Sequence, residues 1–516
     1  MTKLQHSIAR ATILVALSAS ALSASALPSL RYTVNLNDRA DTLFKVSLQV
    51  DRLSAANSIF QFAATAPGTY QIMDIGRFVR DFHAFDALGK EIATTRVSTN
   101  QWRFSAPTRV REIRYTMAPT WTTVVKENPV YLMCGSSLTE DHSLMNGQAV
   151  FGMPKGMQSV PISVKLLAPA EWKVATSLKL VAGAYQADDY DQLVDSPILA
   201  GRLTMARLDV TGVPVDIAVY ATHDQINADQ LRDAMRDMLT AAGEFLGKLP
   251  VDHYMFLYYF ESRGQGAWEH SYGSEYSLPE RPFTPQYGKQ ITDIAAHEFF
   301  HVVTPLNLHS EVVEHFNFET PVASRHLWLY EGSTEWAAHK MQLESGLKPA
   351  ADYLATLVQK MKADRNGYDS TWSLTKLSLT SYSDSGQKQY PNIYQRGAIV
   401  AGLLDIKLLE LSHGERGLRD LIQDLSRTYG KKRAFRDDSL MSIIVKRTDP
   451  AIGAFITSYI RDAQHLPVKE YYAKLGITLI EDEKGVPLRF EIDPNPTAEQ
   501  LKLRTAWLGK RGKLVS

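Results

Sequence analysis

Residues 297–301 read His297-Glu298-Phe299-Phe300-His301, an H-E-x-x-H pattern that demands a helix. At 3.6 residues per turn, His297 and His301 share one face only if the segment is α-helical, where the two imidazoles can grip one ion. Glu298 then falls beside them, placed to take a proton from a water polarised by that ion. Two imidazoles do not complete a metal site, so the rest of the chain must supply a third ligand.

Cys134 is the only cysteine, which excludes a disulfide within the chain and any cysteine ligand set. His309 follows the motif closely, but the metzincin pattern needs Gly three residues and His six residues after the second ligand. Those positions hold Thr304 and Asn307, so His309 reads as a surface residue or as one that supports a ligand. Glu331, in Leu327-Trp328-Leu329-Tyr330-Glu331-Gly332, lies 30 residues after His301 on a separate predicted helix. A helix packed across the first can aim that carboxylate at the ion and leave a fourth position open. Glu335, one turn further on the same face, is the alternative ligand, or else the group that orients a ligating histidine. His339 reads as structural. A His₂Glu set suits peptide hydrolysis and predicts one Zn²⁺ per chain.

With 516 residues, two or three domains are expected. Polar–apolar alternation recurs from Tyr32-Thr33-Val34 and Phe44-Lys45-Val46-Ser47-Leu48 through about residue 205, with turns such as Pro67-Gly68 between runs. This predicts an N-terminal all-β, sandwich-like domain over 27–205. Helical spacing takes over from Asn227 to Leu249, and Met255 to Phe260 reads as a buried strand. Helices are predicted at about 291–303, 324–345, 350–363, 393–412, 416–429 and 438–447, giving a mainly α-helical catalytic domain over 206–480.

Lys plus Arg and Asp plus Glu are both 56, and neither nucleic acid nor an anionic membrane is called for as a partner. Lys3 and Arg10, the apolar run Ile13 to Leu22 and Ala24-Ser25-Ala26 form a signal-peptide pattern over residues 1–26. The run is far short of the roughly 20 residues that span a bilayer. The expectation is export, periplasmic or secreted, with no stable membrane insertion after cleavage.

The pairing of H-E-x-x-H with Trp328-Leu329-Tyr330-Glu331-Gly332 resembles the gluzincin, thermolysin-like aminopeptidases. Over about residues 30–480 the chain is similar to the glycyl aminopeptidase family, relatives of aminopeptidase N. Pro67-Gly68-Thr69-Tyr70-Gln71-Ile72 and Val79-Arg80-Asp81-Phe82 carry the likeness in the β domain. Gly266-Ala267-Trp268-Glu269-His270 and Tyr394-Gln395-Arg396-Gly397-Ala398 carry it in the catalytic part. The resemblance implies that Glu269 binds the free α-amine of a peptide substrate, beside Gly266, Ala267 and Trp268. It implies that Tyr394, 63 residues after Glu331, donates a hydrogen bond to the tetrahedral oxyanion, with Tyr390 as the nearby substitute. It implies a preference for N-terminal Gly or Ala. Family members commonly carry a C-terminal PDZ domain of about 90 residues. Only about 40 residues follow Leu475-Gly476-Ile477-Thr478, so 481–516 reads as a tail or a remnant of that module.

The sequence therefore predicts an exported zinc aminopeptidase whose partners are peptides with a free N-terminus. Metal ligands are His297, His301 and Glu331, Glu298 is the general base, and Tyr394 the oxyanion donor. A zinc endopeptidase with the same metal site is the first rival, which an amine-binding Glu269 would argue against. A non-catalytic peptide-binding protein on a peptidase fold is the second.

Overall fold

The computed structural model describes residues 29–514, so the expected signal segment, residues 1–26, lies outside the described residues. Alternation builds the N-terminal part. Phe44–Val50 buries Phe44, Val46, Leu48 and Val50 on one face and leaves Lys45, Ser47 and Gln49 on the other. It belongs to an eight-stranded sheet in the order Lys179–Val181, Ala184–Ala187, Ile162–Leu167, Leu30–Asn35, Phe44–Val50, Glu112–Met117, Val79–Phe85, Glu91–Ile92. Only Leu30–Asn35 and Ile162–Leu167 pair in parallel, with Leu30 opposite Ile162. Two four-stranded sheets share a core with it. One contains Ile59–Gln61 and Gln101–Phe104, the other His142–Met145 and Ile198–Gly201. Aromatic rings fill that core, Phe62 edge-on to Tyr115 at 5.1 Å. The buried phenols of Tyr32 and Tyr115 are satisfied by the carbonyls of Gly152 and Val150, at 2.7 and 3.1 Å.

The second part starts with a five-stranded sheet in the order Thr204–Val210, Val213–Ala221, Tyr254–Glu261, Gly273–Pro279, Gly266–His270. Tyr254–Glu261 is buried at seven of its eight positions, as a central strand covered on both faces must be. Gly266–His270 is an edge strand, paired antiparallel to Gly273–Pro279 and, among the described residues, to no other strand. Helices Ala228–Leu246, Pro285–Phe300, Ser333–Ser345, Ala350–Gly367 and Asn392–Leu411 pack into one core with this sheet. The expected order, β domain and then mainly helical domain, is the observed one.

Two helices differ from expectation, and both differences shape the site. The metal helix begins at Pro285 rather than near 291, because Thr284 accepts a hydrogen bond from the Tyr287 amide and Pro285 occupies the first turn. It ends at Phe300, leaving His301 as the C-terminal cap. The predicted helix over 324–345 is divided. Trp328–Gly332 is a π-helical turn, and the α-helix proper starts at Ser333. At the C-terminal end, the strand pair Ile477–Glu481 and Pro487–Ile492 and the helix Ala498–Leu508 pack on the helical core. Trp507 is fully buried there, and Lys340 Nζ donates to its carbonyl.

Candidate active site

His297 and His301 each turn Nδ1 away from the cavity and bond it. His297 Nδ1 donates to Glu335 Oε2 at 2.7 Å, and His301 Nδ1 donates to the Thr304 carbonyl at 3.0 Å. Protons on both Nδ1 atoms leave both Nε2 lone pairs free, which is the tautomer a metal ligand needs. The two Nε2 atoms lie 3.2 Å apart, and Glu331 Oε2 stands 3.6 Å from the first and 3.5 Å from the second. Donors about 2.0–2.1 Å from one tetrahedral ion sit roughly 3.3–3.4 Å from each other, so the observed triangle fits such an ion. Two lone pairs converging on an anionic oxygen are repulsive unless a positive charge, a proton or a metal cation, stands between them.

The charges agree with the distances. Burial pushes the His301 imidazole down to about 4, so it is neutral and able to ligate at neutral pH. Burial opposes ionisation of Glu331, but His301 and His297 outweigh it and hold the carboxyl below its ordinary value. Burial would also depress His297, yet Glu331 and Glu335 overcome it and raise this imidazole. In the absence of a cation the carboxylates thus hold a proton on His297, and a divalent ion would displace it.

Glu335 is not the third ligand here. Its oxygens are taken by His297, by His339 Nε2 at 3.2 Å and by the Lys360 ammonium, which together keep it ionised despite burial. It fixes the His297 ring from behind. His339 belongs to that support rather than to the metal face. His309 points elsewhere, its Nδ1 bonded to the Pro305 carbonyl at 2.9 Å.

Among the described residues, two sets of His and Glu ligand atoms converge to within 4.8 Å of one another. One is His297, His301 and Glu331; the other is Glu269, Glu298 and His301. Glu298 therefore has its carboxylate beside the metal face although it follows a ligand in sequence. Burial lifts it to about 7, with Glu331 and Glu335 adding to the shift, so it can both accept and return a proton near neutrality. Glu269, 8% exposed, is raised by burial first and then by Glu331 and Glu298. Several buried carboxylates crowd one cavity, an arrangement that calls for positive guests.

Tyr394 closes the opposite side, its ring centroid 5.5 Å from that of His297 and its hydroxyl 3.2 Å from Tyr390. Burial keeps its phenol protonated, hence a donor. The nearby Glu331 charge adds to that effect.

The site opens into a cavity of about 470 Å³ lined by these residues, by Gly266, Ala267 and Trp268 of the edge strand, and by Gly68, Thr69 and Tyr70 of the β domain. The β-domain segment escapes a residue-by-residue search for ligands and bases. Its signal was the Pro67–Ile72 run itself. Gly68 has φ +73°, and a Cβ there would stand 2.7 Å from Glu269 Oε1 and 2.8 Å from Trp268 Nε1. Tyr70 packs on Tyr390 at 5.1 Å, and its carbonyl accepts from Gln387 Nε2 at 2.7 Å. The β domain thus supplies one wall of the site.

A helix-borne His₂Glu triangle with an adjacent buried glutamate, set between a β domain and a helical domain, defines a two-domain metallopeptidase. Residues 31–202 match the model of the peptidase M61 N-terminal domain, and residues 290–400 match that of the M61 glycyl aminopeptidase. Together they take in more than half of the chain, which belongs to the M61 glycyl aminopeptidase family. The enzyme is accordingly a metallopeptidase. Many solved structures share its fold, three of them as follows. An aminopeptidase N family protein from Idiomarina loihiensis has a TM-score of 0.78 at 20% identity, over 90% of this chain and 82% of that one. A mutant two-domain M1 zinc metallopeptidase bound to L-arginine has 0.50 at 13%, over 85% and 94%. Native yeast LTA4 hydrolase has 0.51 at 11%, over 87% and 70%. No curated protein matches the sequence.

Proposed function

We propose that this metallopeptidase is an exported, zinc-dependent aminopeptidase that removes small residues, glycine or alanine, from peptides with a free N-terminus. The observation that carries the reading is the place of Glu269, whose carboxylate lies within 4.8 Å of ligand atoms of both Glu298 and His301. In an amino-terminal residue the ammonium and the scissile carbonyl carbon are two bonds apart. A carboxylate this near the hydrolytic base and a metal ligand has room for that ammonium and for little else. An endopeptidase cleft would need continuing chain where Glu269 and Gly68 close the space.

The donor set of two imidazoles and one carboxylate, with no cysteine, favours zinc. When bound, zinc would supply Lewis acidity to the scissile carbonyl and to the attacking water. Glu298 takes the proton from that water and returns it to the leaving amine. The Tyr394 phenol donates to the oxygen on which charge develops. Glu269 fixes the ammonium, Gly266 and Ala267 of the edge strand face the departing chain, and Trp268 limits the first side chain. Export rests on the signal pattern of residues 1–26.

Purified protein assayed with aminoacyl p-nitroanilides, with their N-acetylated counterparts and for bound metal tests this reading. One zinc per chain, cleavage of the Gly and Ala substrates and resistance of the acetylated ones are expected. Efficient internal cleavage of blocked peptides would establish the endopeptidase instead.

A further inference from the structure

A second cavity, of about 580 Å³, adjoins the first, and the two share Gly68, Tyr70, Trp268 and Glu269 in their walls. Trp268 is 4% exposed, and its Nε1 stands 2.8 Å from the place a Gly68 Cβ would occupy. Indole and glycine backbone therefore meet in the wall between the two cavities, with no room there for a side chain at position 68.

The second chamber lies on the amine side of the site. A peptide with its ammonium at Glu269 runs back along the edge strand past Ala267 and Gly266, which line the first cavity only. His270, Ser271 and Tyr272, beyond Glu269, line the second only. The peptide chain cannot continue that way, because it has ended. Only the side chain of its first residue, attached one bond from the anchored ammonium, can project there.

The lining is apolar at Leu306, Val312, Phe316 and Tyr382 and acidic at Asp189, Asp191 and Asp195. Lys431 and Lys432 also line it, as do Asp188 and Glu314, so carboxylates outnumber ammoniums. Burial raises the carboxyls of Asp189 and Asp191 and repulsion from Asp195 adds to it, against hydrogen bonds donated by the Gln192 amide and by Gln158; a positive guest would offset the repulsion. His270 and His309, both almost wholly buried, line the same chamber, and Nε2 of each has no partner among the described residues. The proposed hydrolysis uses none of these groups.

Building on the aminopeptidase reading, we propose that this chamber is a latent pocket for the first side chain, shut by Trp268 against Gly68 and suited to a long side chain ending in a positive charge. Trp268 is then the residue that sets specificity. Opening the wall converts a shallow site into a deep one.

The test compares kcat/KM for Arg, Phe and Gly p-nitroanilides in the wild type, Trp268→Ala, Trp268→Phe and Trp268→Ala with Val312→Trp. Trp268→Ala should raise the Arg-to-Gly ratio at least about tenfold, mainly through KM, with a smaller rise for Phe. Trp268→Phe should move the ratio the same way by less, and it carries the test if the alanine variant fails to fold. Val312→Trp, which fills the chamber, should return the ratio toward the wild-type value. An unchanged ratio in a folded variant overturns the proposal, as does a wild type that already favours Arg over Gly; neither harms the aminopeptidase reading. An equal gain for Phe and Arg overturns the charge assignment. A wild type inactive on every free-amine substrate overturns the aminopeptidase reading and this proposal with it.

Discussion

Gly332 and Gly397 meet backbone to backbone. A Cβ on Gly332 would stand 2.7 Å from the Gly397 Cα, and one on Gly397 would stand 2.9 Å from the Gly332 Cα. This contact lets Glu331 and Tyr394 enter one cavity. Glu331 precedes Gly332 on the π-helical turn, and Tyr394 lies one helical turn before Gly397 on Asn392–Leu411. Gly397→Ala or Gly332→Ala must push the two helices apart and withdraw both side chains from His297. Each variant should lose at least about a hundredfold in kcat/KM, since a 1 Å displacement at such a site is worth that much. Gly402→Ala, on the same helix but with 3.6 Å to its nearest neighbour, should change activity less than about twofold. Equal effects at 402 and 397 would show that helix propensity, not close approach, matters.

Glu298 touches the metal face without being needed to complete the His297–His301–Glu331 triangle. Glu298→Gln should keep the metal, by elemental analysis, and lower kcat by 10²–10⁴-fold. More than about a tenth of wild-type turnover remaining would remove it from the role of base.

Glu331 and Glu335 should separate by metal content. Glu331→Ala removes a ligand and should leave little zinc after dialysis. Glu335→Ala frees the His297 ring from its 2.7 Å hydrogen bond and should weaken zinc about 10–100-fold without abolishing binding. The opposite order would exchange the two carboxylates.

Asp191 gives a pH signature remote from the metal. Its carboxyl is pushed up to about 6, by burial first and then by Asp189 and Asp195. An acid whose pKa is raised by folding stabilises the fold only in its protonated form. That contribution is complete below the unfolded value near 3.9 and is lost as pH rises through about 6. Asp191→Asn should therefore be more stable than wild type by about 1–2 kcal/mol at pH 8 and no more stable at pH 4. Thermal denaturation at the two pH values measures this, and an equal gain at both would mean that Asp191 titrates normally.

The local chemistry of the site was legible in the sequence. A four-residue spacing dictates that His297 and His301 share a helical face wherever that helix sits, and a tryptophan-flanked Glu-Gly segment further on marked Glu331. Alternation at period two in Phe44–Val50 likewise fixed the nature of the first domain, because burial of one face of a sheet needs no knowledge of which sheet. Spacing favoured Glu331 and kept Glu335 as its rival, since both lie on one face one turn apart. The packed helices set the two apart: His297, His339 and Lys360 occupy Glu335, while the π-helical turn carries Glu331 to the two Nε2 atoms.

What lay beyond the sequence is what depends on contacts between distant segments. Nothing local in Pro67-Gly68-Thr69-Tyr70 states that it will close over Glu269, some 200 residues away, or that Trp268 will divide two cavities. Periodicity reports which face of an element is apolar, but not which partner covers that face. Residue types and spacing thus pointed to His297, His301 and Glu298 on one helix and to Glu331, with Glu335 as its rival, in a short motif. The wall beside Glu269 was settled by two domains meeting, and the approach of Glu331 and Tyr394 to one cavity by two glycines that allow their helices to touch.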